Sequence, residues 1–175
     1  MERLKLVELS PERAEQIREY IASFPEQRER VTYEADRIPG LDRYEEFGDV
    51  DAFLAFCESM RGNVAWYMTV RESDSEMIGA AVLRSSLEYD DDDEEFASHI
   101  GYSVRPDERG KGYATEQLRL VLGKARELGL EKVRLVCLDT NTGSNKVILN
   151  NGGVFIDVIH GEDSGMDINR YDIIL

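Results

Sequence analysis

The spacing of hydrophobic and polar positions changes along the chain, and each spacing predicts a type of element. Alternation over residues 4–10 (LKLVELS) predicts a strand. A Ser-Pro pair follows, which is typical of a helix start, and the helical pattern extends to about residue 23. Residues 24–50 are mostly polar and predict a loop with a short helix. Apolar residues at helical spacing in residues 49–60 (DVDAFLAFCESM), behind an Asp cap, predict a second helix.

The middle of the chain is dominated by strand patterns. Residues 63–72 (NVAWYMTVRE) and 77–87 (MIGAAVLRSSL) are rich in branched and aromatic residues and are separated by a polar turn, so they predict an antiparallel hairpin. Residues 96–104 (FASHIGYSV) predict a third strand. A long amphipathic helix is expected from Gly112 to about Gly129.

The last third of the chain predicts a strand, a short helix and a hairpin. Residues 132–138 (KVRLVCL) form an apolar run, which favours a buried strand parallel to the one before the long helix. Residues 141–153 (NTGSNKVILNNGG) predict a short helix, and residues 154–160 and 168–175 predict the final hairpin. The order of elements predicts one mixed α/β domain over residues 1–175.

Composition narrows the function classes. The chain has 175 residues, 42% of them hydrophobic, and a formal net charge of −15. This charge argues against binding nucleic acid through a basic face and against docking on an anionic membrane. No run approaches the roughly 18 apolar residues of a membrane span, and the first residues lack the apolar centre of a signal peptide. We therefore expect a soluble cytoplasmic protein, and a homodimer is compatible with this composition.

The cysteines and histidines predict no metal site. Cys57 and Cys137 lie far apart in apolar surroundings, which favours two reduced core thiols. Only His99 and His160 are available as imidazole ligands, so no zinc cluster is expected.

A cationic glycine turn stands out in residues 105–116 (RPDERGKGYATE). The Walker phosphate loop is absent, and the dinucleotide fingerprint is incomplete because Thr115 stands where its third glycine is required. One interpretation is an ordinary turn in which Gly110 and Gly112 adopt positive φ. The other is an anion cradle, since a helix start offers N–H groups and glycine lets the anion approach them. Arg109 and Lys111 add positive charge.

Residues 100–118 (IGYSVRPDERGKGYATEQL) resemble the acyl-CoA-binding segment of the GNAT superfamily of N-acetyltransferases. That family carries Arg/Gln-x-x-Gly-x-Gly/Ala at a strand-helix junction, and this chain has RGKGYA at residues 109–114. Asn141 and Ser144 match a second spacing of the family, and Gly152 ends the helix that follows them. The resemblance implies a mostly antiparallel mixed sheet of about seven strands, flanked by helices and splayed at its central parallel pair.

The same resemblance implies acetyl-CoA as cosubstrate, no metal, and transfer of the acetyl group to a primary amine by direct attack in a ternary complex. The residues expected to bind the cosubstrate lie on the strand end, the glycine turn and the short helix. They are Tyr102, Ser103, Val104, Arg109, Gly110, Lys111, Gly112, Tyr113, Ala114, Thr115, Asn141 and Ser144.

The residues expected as catalytic acid and base match the family pattern less well than the cosubstrate-binding residues do. His99 lies roughly where relatives place a base, and its ordinary pKa of about 6.5 suits that role. A hydrogen-bonded strand histidine is the alternative, and Glu94 or Glu95 acting through water is another. The tyrosine acid of the family is replaced here by Ile148, which leaves Tyr102 or Tyr113 as possible substitutes. The Phe that often follows the helix-ending glycine is replaced by Gly153, which we interpret as a change of packing.

Three alternatives to a small-amine acetyltransferase stay open. The acceptor is a protein N-terminus or lysine in the first, the chain binds CoA without catalysis in the second, and the turn belongs to a nucleotide-binding module in the third. The sequence does not identify the acceptor. The acidic run at residues 90–95 is compatible with attraction of polyamines or aminoglycosides, but a solvated loop of like charges is the favoured interpretation.

Overall fold

The structure is a computed structural model, and it describes residues 2–24, 37–90, 96–161 and 165–175. The helices and strands of this part follow the order expected from the sequence. They are β1 (Leu4–Glu8), α1 (Ala14–Ala22), α2 (Tyr44–Phe47), α3 (Val50–Ser59), β2 (Val64–Arg71), β3 (Met77–Arg84), β4 (Ile100–Val104), α4 (Tyr113–Glu127), β5 (Lys132–Leu138), α5 (Thr142–Asn150), β6 (Val154–His160) and β7 (Asp167–Ile174).

The strands form two antiparallel sheets. The first has the order β1-β2-β3-β4 and the second the order β5-β7-β6. β4 and β5 are therefore edge strands of different sheets, and β4 pairs with β3 in a register that runs from Gly79↔Val104 to Leu83↔Ile100. The prediction of a mixed, mostly antiparallel α/β fold with seven strands, splayed between its central strands, is confirmed.

Helices on both faces of the first sheet build the core. α1 and α3 pack on one face, around Ile17, Phe53 and Met68. α4 packs on the other face, where its Leu118 and Val121 are fully buried. The sequence places apolar residues of each helix at helical spacing, so each helix buries one stripe against the strands.

The third strand is shorter than predicted. The apolar pattern indicated a strand from residue 96, but β4 begins at Ile100. The backbone groups of Ser98 form hydrogen bonds with side chains in place of a neighbouring strand. Its N–H donates to Asp90 Oδ2 at 2.8 Å, and its carbonyl accepts from Arg84 Nη1 at 3.2 Å. Side-chain bonds of this kind compete with a sheet ladder for the same backbone groups.

Two predictions lie partly outside the described residues. The polar stretch at 24–50 contains the predicted short helix, α2, but residues 25–36 are not described. In the acidic run, Asp90 is described and residues 91–95, including Glu94 and Glu95, are not.

Across the described ranges, no helix is both long and apolar enough to cross a membrane. The same residues contain no group of three or more His, Cys, Asp or Glu side chains placed to hold a metal ion.

Candidate active site

A glycine turn joins β4 to α4. After β4 ends at Val104, a short 3-10 turn leads to Gly110 and Gly112, whose φ angles are +76° and +85°. Both angles lie in the left-handed region, which glycine enters without steric cost. A Cβ on Gly110 would meet no atom within 4 Å, so this glycine serves the backbone angle and leaves open space beside the turn. Residues 109–112 are exposed, and the turn therefore presents its backbone to solvent.

The start of α4 adds further donors to this turn. The first N–H groups of an α-helix have no partner within the helix and lie at the positive end of its dipole. Residues 113–115 can therefore bind an anion through their backbone. The Thr115 carbonyl accepts a hydrogen bond from Asn151 Nδ2 at 3.1 Å, which ties this first turn to the end of α5. The Tyr113 ring is buried and its hydroxyl donates to Glu2 at 3.4 Å, so its side chain points away from the exposed turn.

Carboxylates compensate the cationic side chains of the turn. Lys111 Nζ lies 2.7 Å from Glu108 Oε2, and Glu108 Oε1 lies 2.9 Å from Arg71. The hydrogen bond from Lys111 holds the pKa of Glu108 below its usual range. Arg109 Nε donates to the Val104 carbonyl at 3.3 Å. An anion at the turn must compete with Glu108 for Lys111, so the backbone is its main source of hydrogen bonds.

The two sheets meet at His99. Its N–H donates to the Arg134 carbonyl, and the Arg134 N–H donates to His99 Nδ1, each at 2.9 Å. A ring nitrogen thus stands where a sheet would use a carbonyl oxygen. From Ile100 onward β4 pairs with β3, and none of the described residues forms a ladder with its other edge, on the side of β5. The gap between the sheets therefore opens directly after His99.

The hydrogen bond at Nδ1 bears on the base role predicted for His99. Because Nδ1 accepts, the proton of the neutral ring is on Nε2, and neither nitrogen offers a lone pair to a substrate while the bond holds. Burial, and after it the charge of Arg134, lowers the pKa of His99. This geometry argues against the base role and favours a structural one. The base role itself stays a prediction.

The structure brings three of the predicted binding residues together across the gap. The Tyr102 hydroxyl on β4 lies 2.8 Å from Ser144 Oγ on α5. Asn141 caps α5, since its Oδ1 accepts the Ser144 N–H at 3.0 Å. Burial raises the pKa of Tyr102, so the hydroxyl keeps its proton and acts as a hydrogen-bond group at neutral pH.

Asn145 lies on the α5 side of the gap, and no pattern in the sequence singled it out beyond its place next to Ser144. Its Nδ2 donates to the carbonyls of Leu138 at 3.0 Å and Asn141 at 2.8 Å. Its Oδ1 accepts from the Tyr171 hydroxyl at 2.5 Å. Asn145 therefore fixes the end of β5, the start of α5 and β7 to one another.

The opposite face of β4 carries a second polar cluster that the sequence analysis missed. Ser103 Oγ lies 2.9 Å from the Tyr20 hydroxyl of α1 and donates to the Pro39 carbonyl at 2.5 Å. Tyr20 is fully buried, and its burial raises its pKa. The Ser103 side chain therefore holds α1 and the Pro39 segment against β4. If Ser103 binds the cosubstrate as predicted, its backbone groups are the ones left to do so.

A buried ion pair lies beside this cluster. Asp42 Oδ2 is 2.5 Å from Arg84 Nη2, and both side chains are almost completely buried. Arg84 also lies 3.5 Å from Asp90 Oδ1. A Cβ on Gly101 would stand 3.0 Å from Asp42 Oδ2, so glycine on β4 leaves the room that the carboxylate occupies. The pair therefore anchors the residues around Asp42 on the end of β3, beside Gly101 of β4.

The two departures from the family pattern are in contact. Ile148 is fully buried in the core between α4, α5 and the second sheet. A Cβ on Gly153 would stand 2.5 Å from Ile148 Cγ2 and 2.8 Å from the Ile148 carbonyl oxygen. The side chain at 148 thus fills the space that a residue larger than glycine would need at 153.

Comparison with known proteins agrees with this geometry. Residues 3–154 match the family model described as an acetyltransferase (GNAT) domain. No curated protein matches the sequence at a significant level.

Many solved structures share the fold. One is an acetyltransferase from Salmonella typhimurium that modifies the N-terminal serine of ribosomal protein L7/L12, with 16% identity, a TM-score of 0.72, and coverage of 98% of this chain and 95% of that chain. Another is RimL, a ribosomal L7/L12 α-N-protein acetyltransferase in complex with coenzyme A, with 15% identity, a TM-score of 0.71, and coverage of 98% and 94%. A third is a chimera of the spermidine N-acetyltransferase SpeG from Vibrio cholerae and hSSAT, with 15% identity, a TM-score of 0.69, and coverage of 98% and 95%. At these identities the likeness establishes the fold alone.

Proposed function

The chain belongs to the GNAT family of acetyltransferases, and from that premise we propose that it transfers the acetyl group of acetyl-CoA to a primary amine within a ternary complex. The amine nitrogen attacks the thioester carbonyl, the C–N bond forms, the C–S bond breaks, the amine loses a proton and the thiol gains one. The observation that carries the proposal is the exposed glycine turn at the start of α4, beside the gap between β4 and β5.

The residues present fit a CoA diphosphate. Gly110 and Gly112 hold the left-handed angles that open the turn, and packing does not require glycine at 110. The backbone N–H groups of residues 110–115 are proposed to bind the diphosphate, with Lys111 turning from Glu108 to assist. The Arg109 N–H donates to the Pro106 carbonyl at 3.4 Å, so Arg109 is proposed to contribute its side chain. Bound acetyl-CoA supplies the thioester, which is the activated acyl donor of the reaction.

The open edge of β4 is proposed to orient the acyl donor. Tyr102, Ser103 and Val104 pair with β3 on one side only, so backbone groups on their other side face the gap. An N–H there can hydrogen-bond the thioester carbonyl as negative charge develops on it. Loss of one donor of this kind typically costs about 3–4 kcal/mol of transition-state stabilisation. Asn141 and Ser144 are proposed to contact the same ligand from α5.

Proton removal from the amine is proposed to pass through water. His99 Nδ1 is occupied by the Arg134 N–H, and the Asp42 carboxylate is paired with Arg84. Glu94 and Glu95, which lie outside the described residues, stay candidates for the group that receives the proton. His99 is proposed as a positioning residue, because its ring ends the pairing between the sheets.

Tyr102 is the remaining candidate for the acid. Burial raises the pKa of Tyr102, so its hydroxyl is a weaker acid than the thiol of CoA, whose ordinary pKa is about 8.5. The departing thiolate is therefore a weaker base than the tyrosinate, and a hydrogen bond from Tyr102 to the sulfur is favoured over complete proton transfer. We expect Tyr102→Phe to slow transfer from acetyl-CoA more than transfer from acetyl esters of more acidic thiols. Equal slowing with both donors, with chemistry limiting, would exclude this role.

A small primary amine is the proposed acceptor. The net charge of −15 favours approach of cations, and SpeG, which shares the fold, is a spermidine N-acetyltransferase. A protein N-terminus is the second candidate, because two other structures with this fold are ribosomal-protein acetyltransferases.

Thiol release from acetyl-CoA tests the proposal directly. Polyamines, other small amines, amino acids and peptides with N-terminal serine would be compared at saturating acetyl-CoA. We expect turnover with a small amine to exceed turnover with the peptides. Turnover with the peptides alone would show that the acceptor is a protein N-terminus. Tight binding of CoA without turnover of any amine would support a CoA-binding protein that has no catalytic activity.

The glycine turn has its own test. Gly112→Val places a branched side chain at the diphosphate site, and we expect the Kd for CoA to rise at least tenfold by calorimetry. Gly129→Val is the matched control, because Gly129 has a similar φ of +81°, has no atom within 4 Å of a Cβ and lies at the other end of α4. Equal CoA affinity in the two folded variants would show that the turn does not bind the diphosphate.

A further inference from the structure

Glu108 is a buried carboxylate at the edge of the proposed phosphate site. It lies in the short turn between β4 and α4, where its own N–H donates to the Arg105 carbonyl at 3.0 Å. Its side chain is 10% exposed, and each of its oxygens binds a different cation. Oε2 accepts from Lys111 Nζ at 2.7 Å, and Oε1 accepts from Arg71 Nη1 at 2.9 Å. Glu108 therefore occupies a cation of the glycine turn that an anionic ligand would also use.

Arg71 keeps Glu108 in place. Arg71 ends β2, and its guanidinium also pairs with two carboxylates near the turn between β2 and β3, Asp74 at 2.8 Å and Glu76 at 2.7 Å. Glu2 Oε2 lies 3.3 Å from its Nε. The planar guanidinium has several donors in fixed directions, so these carboxylates hold it in one position. Glu108, which is bound to this fixed group, cannot follow a ligand into the solvent.

Lys111 is the member of this group that can move. Its side chain is 51% exposed, whereas that of Arg71 is 13% exposed. A lysine carries a compact charge on a flexible stem, so it exchanges one oxygen partner for another without a demanding geometry. It follows Gly110, beside which the structure leaves open space. A phosphate bound at the turn would therefore draw Lys111 away from Glu108.

We propose that Glu108, held in place by Arg71, is an internal competitor for Lys111 that weakens the binding of CoA and speeds its release. The proposal rests on the proposed function and deepens it. When CoA binds, Lys111 exchanges Glu108 for a phosphate oxygen, and when CoA leaves, Lys111 returns to Glu108. Arg71 stays with Glu108 throughout, so the carboxylate is never left buried without a cation.

The consequence for the reaction lies in the step after acetyl transfer. Product CoA carries the same phosphates as acetyl-CoA, so contacts at the turn hold product and substrate alike. Contacts of this uniform kind do not accelerate the chemical step, and release of product limits kcat in many enzymes. Glu108 and Arg71 are thus positioning residues, because both act through Lys111 and not on the reacting atoms.

A double-mutant cycle on Glu108 and Lys111 tests the proposal, with the Kd for CoA measured by calorimetry. Glu108→Gln keeps the shape of the side chain and an acceptor for Arg71, but it releases Lys111. We expect the Kd to fall about threefold to tenfold, and the dissociation rate of CoA in stopped flow to fall with it. In the Lys111→Gln background the same change should have at most about a twofold effect, because no lysine remains to be released. Structural damage alone would weaken binding, so the direction of the change separates the two roles.

Asp107→Asn is the matched control for charge. Asp107 lies in the same turn, one residue before Glu108, but it is 62% exposed and pairs with Arg105 at 2.8 Å. The substitution removes one negative charge near the ligand without releasing Lys111. We expect its Kd for CoA to stay within about twofold of wild type.

The Glu108 carboxylate provides a second readout that needs no substitution. The hydrogen bond from Lys111 is the main cause that holds the pKa of Glu108 below its usual range. If Lys111 leaves for a phosphate, this pKa must rise. Carbon-13 NMR of the side-chain carboxyl over a pH titration, with and without saturating CoA, should show a rise of at least about one pH unit. The carboxyl of Asp107, which the phosphate charge also reaches, should change less.

Three results would overturn the proposal. They are an equal Kd for CoA in wild type and Glu108→Gln, an equal gain in the Lys111→Gln background, and a pKa of Glu108 that CoA leaves unchanged. If Glu108→Gln does not fold, the titration of the wild type decides. A wild type that binds no CoA would overturn the proposed function together with this proposal, whereas tight CoA binding with any of the three results overturns this proposal alone.

Discussion

A single ring nitrogen, His99 Nδ1, holds the junction between the two sheets. It accepts the Arg134 N–H at 2.9 Å, where a sheet would normally use a carbonyl oxygen. Unlike a carbonyl oxygen, the nitrogen of an imidazole ring can be protonated near neutral pH. The junction therefore depends on the charge state of one residue.

Two substitutions separate the positioning role of His99 from a base role. His99→Asn keeps an acceptor close to the position of Nδ1 and removes the basic ring, whereas His99→Ala removes both. We expect kcat of the Asn variant to stay within a few fold of wild type. We expect the Ala variant to lose about 1–3 kcal/mol of unfolding free energy in urea, since a partly buried N–H loses its acceptor. A loss of about 10²–10⁴-fold in kcat for both variants would instead assign the base to His99.

The same residue predicts how stability changes with pH. Burial lowers the folded-state pKa of His99, so the unfolded chain binds this proton more tightly and protonation favours unfolding. The stability that depends on neutral His99 is fully present above the unfolded-state pKa of about 6.5. It is lost as the pH falls from there through the lower folded-state pKa. Between about pH 7 and pH 5, the unfolding free energy of the wild type should therefore fall more than that of His99→Asn. Parallel curves for the two proteins would contradict this prediction.

At the scale of elements, the end of α5 and the start of β6 are joined by one close contact. Ile148 fills the core below Gly153, and a Cβ at 153 would overlap both its Cγ2 and its carbonyl oxygen. The apolar spacing of residues 141–153 predicted the helix and its glycine stop. It did not predict this contact, because Ile148 and Gly153 meet only once the helix has ended.

Gly153→Ala should therefore cost stability. The added Cβ must displace backbone, and overpacking of this kind typically costs about 1–3 kcal/mol of unfolding free energy, measurable in urea. Gly123→Ala is the control, because a Cβ there meets no atom within 4 Å and alanine favours the helix. Adding Ile148→Leu to Gly153→Ala removes the Cγ2 contact and should recover part of the loss. Equal stability of the two single variants would show that the chain relaxes around residue 153 without cost.

At the scale of the whole molecule, what could be predicted was local in the chain. Strands, helices, the glycine turn and the Asn141 cap each depend on residues a few positions apart. The contacts that shape the site are distant: Tyr20 and Ser103 are 83 residues apart, Asp42 and Arg84 are 42 apart, and His99 and Arg134 are 35 apart. Polar residues carry no periodic signal for such pairings, so only the folded structure reveals them.

The buried pair of Asp42 and Arg84 should matter to the whole fold. Arg84→Met leaves the carboxylates of Asp42 and Asp90 without their shared cation, and breaking a buried pair from one side typically costs about 3–5 kcal/mol. Urea unfolding of Arg84→Met and of Arg84→Met/Asp42→Asn checks this, with partial recovery expected in the double variant.

The contact between Ile148 and Gly153 also limits which sequences are accessible from this one. A tyrosine at 148 would enlarge a fully buried side chain, and a phenylalanine at 153 would meet the isoleucine that is already there. Each single step towards the family pattern lowers stability before any benefit to catalysis can arise. The residues at 148 and 153 are therefore coupled, and we expect a variant that changes both together, with room made around them, to be more stable than the sum of the two single changes implies.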